Sequence, residues 1–167
     1  MFLCKLLLLT VASVCSCNFV IAQNVSINIL THSSGVAKKG NNIFLEITIN
    51  NTSPADSVPA YKLRPQISIP VSIASIANKG HKLPEGWKII FNEGGVLRLT
   101  NGIDRIPPDA SRTILLLIDG KTTGGPSAIS ANLLFSSGNE PGTASGTATP
   151  GDNPSDNSST TSIEVVK

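Results

Sequence analysis

The stretch NIFLEITINNTSPADS, residues 42–57, decides the fold. Ile43, Leu45, Ile47 and Ile49 occupy every second position, with Phe44, Glu46, Thr48 and Asn50 between them. A period of two puts the four aliphatics on one face of a β-strand. The alternation stops at Asn50-Asn51-Thr52-Ser53-Pro54, where turn formers cluster and Pro54 lacks a backbone donor. We expect a central strand of a β-sandwich, with other segments pairing beside it or packing across from it.

The same period recurs on both sides. Upstream, Val25, Ile27 and Ile29 give a first strand, and the polar residues 32–42, with Gly35 and Gly40, read as a hairpin-type loop. Downstream, Ile67, Ile69, Val71 and Ile73 alternate with polar residues and Pro70, which marks this strand as an edge or a bulge. Trp87, Ile89 and Phe91 form a further inward row, and Leu97 and Leu99 another before the turn dipeptide Asn101-Gly102. The run Ile114-Leu115-Leu116-Leu117-Ile118 does not alternate polar with apolar, which suits a strand covered on both faces or at its ends. Ile129, Ala131, Leu133 and Phe135 alternate again. Residues 136–159 are Gly-, Ser-, Thr-, Pro- and Asn-rich and read as a long polar loop before a last short strand with Ile163 and Val165. No convincing helical period appears. The expectation is all-β: an Ig-like two-sheet sandwich of about seven to nine strands, the range of that architecture. Ile47, Trp87, Leu116, Ala131 and Leu133 are its expected core.

The first 22 residues read as a signal peptide. Lys5 supplies the positive start, residues 6–22 are largely apolar, and Val20-Ile21-Ala22 ends on a small residue before Gln23. Residues 23–167 are then a single module, exported and either secreted or held at the outer surface. The alternative is a lipoprotein acylated at Cys17 and anchored through its chains. Cys4, Cys15 and Cys17 all precede Gln23, so the exported chain has no disulfide and no thiolate metal site. The whole chain carries a formal charge of +2 and no basic block beyond Lys38-Lys39, which argues against a nucleic-acid partner. After residue 22 no apolar run has membrane-spanning length.

Several turn motifs occur together: Asn51-Thr52-Ser53-Pro54-Ala55-Asp56, Leu83-Pro84-Glu85-Gly86-Trp87, Ile106-Pro107-Pro108-Asp109-Ala110-Ser111 and Gly151-Asp152-Asn153-Pro154-Ser155-Asp156-Asn157. In this order they resemble the bacterial "conserved repeat" domains, Ig-like β-sandwiches of secreted and surface proteins, often in Bacteroidetes-type bacteria. The resemblance implies a non-catalytic module. This chain carries one copy where tandem copies are common.

The candidate chemistry is sparse. Asp152, Asn153, Asp156 and Asn157 are spaced closely enough to wrap a hard cation such as Ca²⁺, although the spacing is not that of an EF-hand. The same residues make local Asx turns with fewer assumptions, and no cofactor is otherwise expected. His32 and His81 lie in polar loops outside any hydrolase motif. Trp87 could stack on a sugar, but its phase with Ile89 and Phe91 makes it core. Asp56-Ser57-Val58 resembles the short signal for O-glycosylation of exported Bacteroidetes-type proteins, with Ser57 as the acceptor. The functional expectation is a secreted or surface-exposed, non-catalytic module acting by protein–protein or cell-surface interaction, including adhesion. A carbohydrate-binding or accessory module of a surface assembly is the alternative, and a small hydrolase comes third. Short terminal strands bearing Glu164 and Lys167, with Pro70 on another edge, point to a monomer.

Overall fold

The computed structural model describes residues 24–136 and 152–167. The signal-peptide reading of residues 1–22, with Cys17, lies outside them, as does most of the expected polar loop. The described chain forms an Ig-like two-sheet β-sandwich. Its strands are β1 (Val25–Thr31), β2 (Val36–Lys38), β3 (Asn42–Asn51), β4 (Leu63–Ser68), β5 (Ala74–Ile76), β6 (Lys88–Glu93), β7 (Val96–Thr100), β8 (Ser111–Gly120), β9 (Gly124–Phe135) and β10 (Ser158–Val166). One sheet runs β1-β3-β8-β5 and the other β2-β10-β9-β4-β7-β6. The described strands number ten because β2 and β5, three residues each, join the longer ones.

β3 behaves as its period dictates. Ile43, Leu45, Ile47 and Ile49 face the core, while β1 and β8 flank the strand as antiparallel partners. The core is one cluster drawn from both sheets, and it includes Ile47, Trp87, Leu116, Ala131 and Leu133. Burying a side chain of leucine or isoleucine size stabilises the fold by about 1.5–3 kcal/mol relative to leaving it in water. β8 does alternate: Ile114, Leu116 and Ile118 are buried, while Leu115 and Leu117 are half-buried on the outer face. There Leu117 pairs opposite Phe44 of β3, and Leu115 opposite Lys82, so the outer face of the run is partly covered along the middle of the strand.

Four expectations need correction. The strand containing Pro70 is no edge: β4 lies between β9 and β7. Pro70 sits beyond its end, where its carbonyl accepts the N–H groups of Ile73 and Ala74 in a turn that leaves Val71 exposed. Phe91 does not continue the inward row of Trp87. The β6–β7 register slips between Ile89 and Phe91, leaving Ile90 as the extra residue of a bulge and setting Phe91 opposite Arg98. Residues 32–42 are more than a loop, since they send β2 into the other sheet, parallel to β10. The last strand starts at Ser158 and therefore runs through part of the expected polar loop.

The corner where β1 meets β10 is laced shut by side chains. Ile29 N–H donates to Ser159 Oγ at 3.2 Å, and Ser159 Oγ donates to Asn28 Oδ1 at 3.2 Å. Thr31 Oγ1 donates to the Ser162 carbonyl at 2.9 Å. Gly35 makes this approach possible: its φ is +77°, and a Cβ there would fall 2.7 Å from the Ser162 carbonyl oxygen.

Candidate functional site

Ser57 is presented on a braced loop. β3 ends at Asn51, which is buried although the sequence marks it as a turn former. Its amide nitrogen donates to the carbonyls of Asp56 (2.7 Å), Ile106 (3.1 Å) and Pro107 (2.9 Å), and its Oδ1 accepts from Ser53 N–H at 3.2 Å. Ser53 Oγ accepts the Asp56 N–H at 3.1 Å, and Val58 pairs with Ile106. Ser57 thus stands exposed between half-buried Asp56 and fully buried Val58. Asn101 plays a second bracing role. It donates to the carbonyls of Pro59 and Asp104, and accepts the Leu63 N–H at 2.9 Å. Nothing in a single sequence distinguishes such an asparagine from one that simply turns the chain.

The Asp152–Asn157 group sits at the same end of the sandwich. Asp152 Oδ1 accepts the Val25 N–H at 3.1 Å, and its Oδ2 accepts from Asn157 Nδ2. Asn153 Oδ1 caps a single 3-10 turn at Pro154–Asp156 by accepting from Ser155 N–H and Oγ. Asp156 Oδ2 accepts from Asn24 Nδ2 at 3.3 Å. That leaves Asp156 Oδ1 and Asn157 Oδ1 buried and without a hydrogen-bond partner. Ca²⁺ takes six to eight oxygens, so a cation here would draw further ligands from neighbouring carboxylates, carbonyls or water. No group of three His, Cys, Asp or Glu side chains converges among the described residues.

Both histidines are engaged within the fold. His81 Nε2 lies 2.8 Å from the Ala77 carbonyl, which can only accept, so Nε2 carries the proton and Nδ1 is the acceptor. Nδ1 takes the Leu117 N–H at 3.0 Å. His32 Nε2 meets Glu46 Oε2 at 3.0 Å beside the Phe44 ring. Trp87 is buried and donates its indole N–H to Asp104 Oδ2 at 2.7 Å, while Arg112 forks onto the same carboxylate at 2.8 and 2.9 Å. The indole face is therefore not a platform for a sugar. Arg64, buried against Thr100, has its pKa lowered by desolvation.

Large apolar side chains stand exposed at several places among the described residues, including Leu30, Val71 and Ile103, and two of them share the strand β6. It is the outermost strand of the six-stranded sheet, and Lys88, Ile90, Phe91, Asn92 and Glu93 are all exposed. Ile90 is 47% and Phe91 38% exposed, large values for such side chains. The Arg98 guanidinium lies 5.3 Å above the Phe91 ring. Only a shallow groove separates the β6 end at Asn92 and Glu93 from β5. The bulge that turned Phe91 outward is what the alternation in the sequence could not show.

No protein-family model matches the sequence, and no match appears among curated proteins. Solved structures do share the fold. The CARDB domain of a Pyrococcus furiosus protein, in complex with di-metal ions, superposes with a TM-score of 0.50 at 12% identity, over 87% of this chain and 90% of that one. A cohesin module from a Clostridium perfringens family 33 glycoside hydrolase gives 0.51 at 11% identity, over 87% and 97%. The major pilin subunit of Bacillus cereus gives 0.51 at 10% identity, over 85% of this chain and 40% of that one. At these identities the likeness is one of fold.

Proposed function

We propose that this chain is an exported Ig-like module that works by contact with another protein or a cell surface, without catalysis. The observation that carries the reading is the exposed β6 edge, where Ile90 and Phe91 stand in solvent on a strand with one free side. A strand edge with apolar side chains is a ready template for pairing with another chain. Both histidines and the buried tryptophan are engaged within the fold: His81 on the backbone, His32 on Glu46, and Trp87 with Arg112 on Asp104. The cohesin module and the pilin subunit show that this sandwich occurs in proteins so named. The resemblance to the "conserved repeat" domains supports export and a place at the outer surface. No helix among the described residues is long and apolar enough to cross a membrane. Ser57 is the proposed attachment point of an O-linked glycan, on the strength of the Asp56-Ser57-Val58 signal and its exposed, braced setting.

The test is fractionation of producing cells with protease shaving of their outer surface, followed by binding of purified protein to the same cells. The expected result is protein in the medium or stripped from the surface, and saturable binding that falls when Ile90 and Phe91 are changed to serine. Retention in the cytoplasm, or binding indifferent to both changes, would overturn the proposal. An intact-mass shift lost in Ser57→Ala reads the glycan separately.

A further inference from the structure

β1 is laced to β10 by Ser159 and Thr31, and the β8 edge is continued past β5 by Ala77, His81 and Lys82. The six-residue β6 is longer than the outermost strands β2 and β5, and its sequence complements itself. Leu97 and Leu99 of β7 point into the core, so Ile89, opposite Leu99, and Asn92, opposite Leu97, take the inner face. Lys88, opposite Thr100, Phe91, opposite Arg98, and Glu93, opposite Val96, take the outer face. In a regular strand Lys88 and Glu93 would lie on opposite faces, because one number is even and the other odd. The bulge at Ile90 removes that difference and brings both charges to one side.

From this we infer that β6 is a homodimer edge, on which a second copy of this chain pairs its own β6 antiparallel about a two-fold axis between Ile90 and Phe91. In that register Lys88 of each copy stands opposite Glu93 of the other, and Ile90 opposite Phe91, each contact occurring twice. Such an interface is isologous, and it merges the two six-stranded sheets into one. Opposite charges directly across a strand pair attract and like charges repel, so the Lys88 and Glu93 ends set the register. An apolar pair sits at the centre, where a residue left in water is removed from it. The inference rests on the functional reading above and deepens it, since it makes a second copy of this chain the occupant of the same β6 edge; its test reads oligomeric state and not binding to cells, so the two can fail separately.

Light scattering after size-exclusion chromatography, over a range of micromolar concentrations, tests it on the whole chain. Lys88 and Glu93 are exposed, so Lys88→Glu and Glu93→Lys leave the fold intact, which circular dichroism checks. The wild type is expected as a dimer. Each single variant places two like-charge contacts in the interface and weakens dimerisation about tenfold or more. The double variant Lys88→Glu/Glu93→Lys restores both attractions and returns the dimer. A wild type that stays monomeric throughout overturns the inference. So does a dimer that ignores the single changes, or a double variant no better than the singles.

Discussion

The backbone N–H of Leu117 donates to Nδ1 of His81 at 3.0 Å, in a stretch of the β8 edge that no strand pairs. The imidazole stands in for a missing strand: one ring nitrogen accepts from β8, and the other donates to Ala77 at the end of β5. Replacing His81 with alanine leaves the Leu117 N–H and the Ala77 carbonyl without these partners. The expected cost is about 1–3 kcal/mol. Hydrogen exchange at the Leu117 amide should accelerate well beyond that at Leu116, and unchanged exchange would contradict the role.

Ile47 is fully buried at the middle of β3. Ile47→Asp places an unpaired carboxylate among aliphatics and costs several kcal/mol, on the order of the whole stability. Circular dichroism should show an unfolded chain at 25 °C. A variant melting with the wild type would mean that the faces of β3 are wrongly assigned.

Asn51 donates to three carbonyl oxygens from a buried position. Asn51→Ala leaves those acceptors unpaired at a cost of about 2–4 kcal/mol. Asn51→Asp keeps the shape but turns an acceptor-only carboxylate on the same carbonyls, so it should be worse than alanine. Urea midpoints compare the two. An aspartate variant as stable as the wild type would remove the amide from its bracing role.

The Asp152–Asn157 turn is held by its own hydrogen bonds to Val25 and Asn24. Its melting temperature is therefore expected to be the same in Ca²⁺ and in chelator. A rise in Ca²⁺ that disappears in Asp156→Asn would instead show that the two orphaned oxygens, Asp156 Oδ1 and Asn157 Oδ1, hold a cation.

Phe91 projects from the outer face of β6 beneath Arg98. Phe91→Ser should cost about 1–2 kcal/mol in a dilute sample, because more than a third of the residue is already in water and only its covered part is lost. Leu99→Ser, on the adjacent buried row, should cost several times more. Equal losses measured by urea denaturation would place Phe91 in the core.

What the sequence makes legible follows from range. Ile43 to Ile49 carry their own period, so the strand and its buried face are visible without any partner. β2 is three residues long and pairs with Glu164–Val166, so no local pattern announces it. The slip at Ile90 inverts the face of Phe91 without altering the spacing of apolar residues around it. Asn51 and Asn101 show the same limit among polar residues: each looks like a turn, and its real partners lie in other loops. At the candidate site, Ser57 is visible as a three-residue signal. Its exposure depends on Val58 docking beside Ile106, which a linear reading does not contain.

The lacing of β1 to β10 has a consequence for the order of assembly. Ser159 closes onto Ile29 across a sequence separation of 130 residues. A chain that emerges N-terminus first can pair β1 with β3 early, but it has no cover for the far side of β1 until β10 has been made. β2 likewise waits for Glu164 to Val166, and the core waits for Ile163 and Val165. Contacts of such long separation are closed late and slowly. The nine residues of β10 therefore complete the sandwich in one step, since the cover of β1, the partner of β2 and part of the core all arrive with them.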